Sequence, residues 1–218
     1  HSGELYAAAG MEDAYERHFA TAYAGLRAAL AALLPTGPEA PRVLEVGAGY
    51  GTLTRHVVDL LDAGAQYLFT DVSQFFLEKA RGSLDARAVV QTELLDLDRD
   101  MGVQGVPADA FDLVLAASVV HAVPDIRRTL GHLFAVMAPG GVLVMVEETR
   151  FWPFFDLGMG LQQGFDSARD TDLRPDHALL DRRQWDDELR RAGFEAVALV
   201  TPEGSAADRL GFDVIVAR

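Results

Sequence analysis

The sequence has no cysteine, and Lys79 is the only lysine among its 19 Lys and Arg residues. Lack of cysteine excludes disulfides and thiolate metal sites and fits a reducing cytosol. Positive charge is scarce as well. The 19 basic residues stand against 33 acidic ones, and the resulting formal net charge of −14 disfavours nonspecific attraction to nucleic acid or an anionic membrane. Half of the residues are apolar, yet no run approaches the roughly 20 needed for a membrane span. A cytoplasmic protein with neither membrane nor nucleic-acid partners is the expectation. The chain begins at His1-Ser2 rather than Met and lacks a basic start followed by an apolar stretch and cleavage site, so it reads as an excised fragment or a cloning scar. Internal repeats and low-complexity tracts are missing too. Arg182, Arg183, Arg190 and Arg191 form the best basic cluster, with the solvated face of one helix as its plain reading.

What is present centres on Val43, Leu44 and Val46, an apolar run that stops at Gly47-Ala48-Gly49-Tyr50-Gly51 and gives way at once to a helical pattern. A strand feeding a tight glycine turn that opens a helix suits a nucleotide cofactor, because glycines let the backbone approach the ligand and helix-start N–H groups face it. Dinucleotide binding or a merely tight turn would also fit the turn alone. Glu45 precedes the turn, an acid-first order that departs from the dinucleotide fingerprint.

Upstream, residues 12–34 carry Tyr15, Phe19, Tyr23, Leu26, Leu30, Leu33 and Leu34 at helical spacings and read as an amphipathic helix that ends at Pro35-Thr36-Gly37-Pro38. Downstream, helices are expected over 53–61, 74–84 with Ser73 as cap, 125–137 and 181–192, and strands over 67–70, 88–90, 111–116, 142–146, 194–200 and 212–216. Alternating strands and helices imply a mainly parallel sheet covered on both faces. The last two strands, joined by a loop with no helix, suggest a closing antiparallel pair. At 218 residues, one domain with a full core is expected.

Two positions stand out for chemistry. Asp71 lies about twenty positions after Gly51 at the end of the second strand, where a carboxylate can accept hydrogen bonds from ribose hydroxyls; a helix-start aspartate is the plain alternative. His121 follows the carboxyl end of the fourth strand, the edge where open α/β sheets bind ligands, and imidazole accepts a proton near neutral pH; the alternative is a satisfied structural histidine.

In combination the chain resembles class I S-adenosylmethionine-dependent methyltransferases, and more closely the methyltransferase domains embedded in modular polyketide synthases. The residues that carry the resemblance are the glycine turn after Glu45, Tyr67-Leu68-Phe69-Thr70-Asp71-Val72-Ser73, Ala116-Ala117-Ser118-Val119-Val120-His121-Ala122, Pro139-Gly140-Gly141 with Glu147 after it, and Gln184-Trp185 before Ala192-Gly193-Phe194. They cover about residues 42 to 194, while 1–40 and 151–180 match loosely. The resemblance implies a single Rossmann-like α/β domain, 1–218, with a mainly parallel seven-stranded sheet and a C-terminal antiparallel pair. Its parts would be a helical N-terminal lid (1–40), a cofactor-binding core (41–150), an insert or lid (151–180) and a C-terminal helix with strands (181–218).

The implied cofactor is S-adenosyl-L-methionine, with S-adenosyl-L-homocysteine as product. Glu45, Gly47, Gly49, Asp71, Val72, Asp96, Leu97 and Ser118 would line its site, Asp96 matching the position that meets the adenine amino group. Asp96 could also be a solvated loop carboxylate and Ser118 an ordinary turn serine. His121 would be the general base and Glu147 its orienting partner; strand alternation lets only one of Glu147 and Glu148 face the site, and the resemblance selects Glu147. His18, His56 and His132 fall on expected helices, and His177 suits a turn better than a substrate contact. No spacing suggests a metal site, so transfer is expected to be metal-independent. Phe151-Trp152-Pro153-Phe154-Phe155, with Gly158, Gly160 and Gly164, reads as either a lid over an acyl chain or a buried loop cluster.

The acceptor implied is an acyl chain on the phosphopantetheine arm of an acyl carrier protein, with other domains of a larger synthase as neighbours. Carbon-methylating synthase domains usually have a large N-terminal lid, and only about forty residues precede the first strand here, so methylation of a β-hydroxyl is the expectation. Methylation of the α-carbon of a β-ketoacyl substrate is the alternative, and a freestanding small-molecule methyltransferase would share the same motifs. A non-catalytic binding domain would have no need of both His121 and Glu147. The acidic net charge sits uneasily with carrier proteins that are acidic themselves.

Overall fold

The computed structural model describes residues 11–34, 40–61, 64–83, 89–151, 153 and 167–218. Five parallel strands form its spine: β1 (Arg42–Val46), β2 (Gln66–Asp71), β3 (Val89–Leu94), β4 (Phe111–Ala117) and β5 (Met137–Glu148). With β6 (Val197–Leu199) and β7 (Phe212–Ala217) they make a seven-stranded sheet in the order β3-β2-β1-β4-β5-β7-β6, β7 running antiparallel to both neighbours. This is the Rossmann-like arrangement with the antiparallel closure expected from the sequence. Strand order reverses between β1 and β4, which opens the crevice where such sheets take ligands.

Alternation along the central strands divides the core in two. Leu44, Val46, Val114, Ala116, Leu143 and Met145 face one layer, built with α4 (Ile126–Val136) and α5 (Arg182–Ala192). Val43, Leu113, Leu115, Val144 and Val146 face the other, closed by α1 (Met11–Leu33) and α2 (Thr52–Val57). Because both faces are buried, these strands read as nearly unbroken apolar runs. Between β2 and β3 lies α3 (Gln74–Ser83). Asp125 caps α4 by accepting from the Arg128 N–H, and Asp181 with Gln184 forms a capping box on α5.

Several boundaries differ from the sequence expectation. The helix after the glycine turn narrows to a 3₁₀ turn at Val58–Leu60, where Arg27 donates to the His56 carbonyl and to the Asp59 carboxylate. β3 runs on through Gln91, Thr92 and Glu93, since an edge strand tolerates polar side chains. β5 starts early, its register shifting against β4 between Phe111 and Leu113 so that Pro139-Gly140-Gly141 lies within the strand. β6 is shorter than expected because Phe194 closes the end of α5, its N–H donating to the Leu189 carbonyl.

The connection before β7 corrects the expected plain loop. It contains α6 (Ala206–Leu210), capped by Ser205 and too short to register as periodicity. Tyr6, Pro35-Thr36-Gly37-Pro38, Leu84, Ala88, Trp152, Phe154, Phe155, Gly158, Gly160 and Gly164 lie outside the described residues, as does the side chain of Tyr15. No helix among the described residues is long and apolar enough to cross a membrane.

Candidate active site

The turn after β1 forms one wall. Gly47 has φ +58, and a Cβ there would lie 2.3 Å from Cγ2 of Val119, so no side chain fits without displacing the loop that follows β4. Gly49, at φ +54, has no atom within 4 Å of the position a Cβ would take, which leaves space above the turn. Its N–H donates to Asp71 Oδ2 at 2.9 Å, while the Ser73 N–H donates to Oδ1 at 2.8 Å. Burial pushes the Asp71 carboxyl up from its ordinary value, and these backbone hydrogen bonds pull part of the way back.

Glu45 is buried beneath the turn and accepts from Thr54 Oγ1 at 2.5 Å and Tyr67 OH at 2.6 Å. Burial raises its carboxyl to about 7 in spite of both hydrogen bonds.

The second wall is the segment after β4. Ser118 takes φ +51, uncommon for a residue with a side chain, while its N–H donates to the Val146 carbonyl at 2.7 Å. A 3₁₀ turn follows, Val120–Ala122, and buries His121 to 2% exposure. His121 Nδ1 lies 2.6 Å from Glu147 Oε2, and Glu147 Oε1 accepts from the Val120 N–H at 3.0 Å. Both carboxylate oxygens of Glu147 therefore serve this one turn. Glu148 points elsewhere, to His18 Nε2 at 3.4 Å and Ser118 Oγ at 3.3 Å. Burial alone would lower the His121 pKa, but the charge and hydrogen bond of Glu147, helped by Glu148, outweigh it and raise the imidazole above its ordinary value.

From above, α1 lays Phe19 and Tyr23 over the crevice, and Tyr23 OH meets Thr52 Oγ1 at 2.9 Å. They enclose a cavity of about 190 Å³ with Tyr50, Leu53, Phe76 and Val119, extending to the exposed Val72. A larger cavity of about 700 Å³, between Gln66, Leu68, Gln91, Leu94 and Gln104, holds none of the expected chemistry.

Among the residues marked in the sequence, Glu45, Gly47, Gly49, Asp71, Val72 and Ser118 line this one cavity. Asp96, Leu97, His121 and Glu147 do not: Asp96 Oδ1 accepts from the Asp98 N–H, the Leu97 side chain packs into the core, which leaves only its backbone for a ligand, and His121 and Glu147 are buried against each other. The Leu95 N–H donates to the Asp71 carbonyl, so this loop sits one strand away.

The aromatic cover was partly legible as the apolar stripe of α1. Phe76 and Thr52 carried no signal, since nothing in their spacing marks a cavity wall, and Val119 was marked only as part of the stretch that leads to His121. His177 Nδ1 accepts from the Leu179 N–H, a turn contact. The four arginines of α5 are ion-paired with Asp208 and Asp213, Asp187, Asp186 and Glu188 in turn, so no basic patch results. Among the described residues no three His, Cys, Asp or Glu side chains gather as a metal-binding group.

Residues 44–143 match the family model described as a methyltransferase domain. The squalestatin tetraketide synthase of Phoma sp. (strain C2932) is 32% identical over 184 residues, covering 81% of this chain and 7% of that protein. Among solved structures, the CurJ carbon methyltransferase is similar at 35% identity and TM-score 0.79, over 84% of this chain and 49% of that one. The trans-methyltransferase CalH, solved as a complex with SAH, matches at 29% identity and TM-score 0.82, over 99% of this chain and 61% of that one. The chain thus spans a small part of its curated relative and about half of these solved chains. Fold, cavity and these likenesses agree: the chain is a class I methyltransferase that uses S-adenosylmethionine, similar to the methyltransferase domains carried by polyketide synthases.

Proposed function

We propose that the chain methylates the α-carbon of a β-ketoacyl group held on the phosphopantetheine arm of an acyl carrier protein, with His121 as general base and Glu147 as its orienting partner. The observation that carries the base is the buried His121–Glu147 pair at 2.6 Å, three residues past the cavity-lining Ser118, while the acceptor carbon rests on the likeness to a carbon methyltransferase. The acceptor preferred from the sequence was a β-hydroxyl, argued from the short region before β1. That argument loses its weight in a chain spanning about half of its solved relatives, and the similarity to a carbon methyltransferase favours the α-carbon instead. The likeness to a tetraketide synthase supports the acyl carrier as the substrate's bearer.

The cavity residues fit the cofactor. Asp71, anchored by two backbone N–H groups at the end of β2, would hold the ribose hydroxyls, and the space above Gly49 would admit the amino-acid part; Asp96, on the neighbouring loop outside this cavity, is the adenine contact that the family resemblance implies. When bound, S-adenosylmethionine supplies an electrophilic methyl group. With Nδ1 hydrogen-bonded to Glu147, Nε2 of His121 takes the proton from the acceptor carbon as that carbon forms its new bond, and Glu147 balances the imidazolium that results. Phe19 and Tyr23 keep water from the reacting groups by covering the crevice.

The test offers the purified chain paired β-ketoacyl and β-hydroxyacyl carrier substrates and locates any added methyl by fragmentation mass spectrometry. A methyl on the α-carbon of the β-ketoacyl chain is the expected result. Faster transfer to the hydroxyl oxygen would overturn the acceptor choice, and a folded His121→Ala variant with near-normal turnover would overturn the base.

A further inference from the structure

His121 is held from two directions. Its ring is tied to Glu147, and its main chain to Arg174, a residue of the 167–181 segment with only 2% of its side chain exposed. The Arg174 guanidinium donates to the carbonyls of His121 (2.7 Å), Val123 (2.8 Å) and Pro124 (3.1 Å), and through Nε to Asp170 Oδ1 (2.7 Å). Asp170 in turn accepts at Oδ2 from the N–H of Ile126, the first residue of α4, at 2.9 Å, and the neighbouring Arg169 N–H donates to the Pro124 carbonyl at 2.7 Å. A buried ion pair is costly to desolvate and is a poor source of stability by itself. This one directs Nη1 and Nη2 to three carbonyls of the segment that carries the histidine, those of 121, 123 and 124, and Nε to Asp170.

We propose that Arg174, oriented by Asp170, is a positioning residue for His121, fixing the direction of the imidazole through the carbonyls of 121, 123 and 124 while Glu147 fixes its rotation. The inference rests on the reading of His121 as the base. The planar five-donor fork of arginine can serve three carbonyls and a carboxylate at once; an ammonium, with three donors on one atom, cannot span them. Charge acts in the same place. The groups bearing on the imidazole are Glu147 and Glu148 from β5, which favour its protonated form, and Arg174, which opposes it.

The experiment compares Arg174→Lys with the neutral double variant Arg174→Gln/Asp170→Asn, which leaves no unpaired buried charge. Steady-state kinetics across pH are paired with NMR titration of His121 in the ligand-free protein, and His121→Ala is run alongside. Both variants should lose about tenfold or more in kcat, since small misplacements of reacting groups are costly, with KM for both substrates nearly unchanged. In the double variant His121 should titrate at higher pH than in the parent, by NMR and in the rate profile. Arg174→Lys should restore the titration without restoring the rate. Parental kcat in either folded variant, or a rate loss in the double variant with an unmoved His121 titration, would overturn the proposal. Near-normal turnover by His121→Ala would instead remove the base reading, and the proposal with it.

Discussion

At the scale of single residues, the pH dependence of transfer follows from what surrounds His121. Burial disfavours the imidazolium, but the nearby carboxylates more than compensate, so the proposed base gives up its proton above the ordinary histidine value. We expect kcat/KM to rise with pH through an apparent pKa above 6.5; Glu147→Gln should move that limb to lower pH and reduce the plateau. A limb unmoved by Glu147→Gln would contradict the pairing as the source of the shift. In the proposed function, binding is carried by other residues. Asp71→Ala should weaken S-adenosylhomocysteine clearly in calorimetry, whereas His121→Ala should bind it as the parent does while losing about 10²–10⁴-fold in transfer. Gly47→Ala poses a steric question, because its methyl would fall on Val119. It should impair cofactor binding and transfer together, and adding Val119→Ala should recover part of both; no recovery would place the cost in the left-handed backbone instead.

Among the elements, α1 decides how the crevice is closed. Two kinds of contact hold it. Glu12 and Glu16 pair with Arg55, His56 and Lys79 on α2 and α3, contacts that are partly exposed and worth about 0–1 kcal/mol each. Phe19, Tyr23, Leu26 and Leu30 are each at most 3% exposed, and burying such side chains stabilises by about 1.5–3 kcal/mol apiece. Leu26→Ala should therefore cost about 2–5 kcal/mol in urea unfolding and Glu16→Gln less than about 1 kcal/mol. A reversal of that order would mean that charge, not burial, seats the helix. The same stripe made α1 legible from the sequence, as did the apolar runs of β1, β4 and β5. The elements misjudged were those whose form is set by their neighbours: β3 continues because it pairs with β2, β6 is cut short by the end of α5, and α6 has too few residues to show a period.

For the molecule as a whole, protons and stability are linked through three buried groups. Glu45, Asp71 and His121 all have raised pKa values, so each holds its proton more tightly folded than unfolded. Their contribution is fully present below the unfolded pKa values and is lost as pH rises through the folded ones. For Glu45 that window runs from about pH 4.5 to about 7. The melting temperature of the ligand-free protein should fall across this range, and Glu45→Gln should flatten the fall; an equally steep decline in the variant would exclude Glu45 as its source. Much of the site was legible because its parts lie at the ends of recognisable strands: Gly47 and Gly49 after β1, Asp71 after β2, His121 after β4, Glu147 in β5. Arg174 and Asp170 were not, since a clamp assembled from hydrogen bonds to carbonyls leaves no pattern in side-chain identity. The close seating of Val119 on Gly47 makes the two loops of the crevice interlocking parts. Anyone exchanging the 118–124 loop between related domains, in search of a different acceptor, should find that it does not graft alone: residue 119 must suit the recipient's first glycine, and segment 170–174 must travel with it.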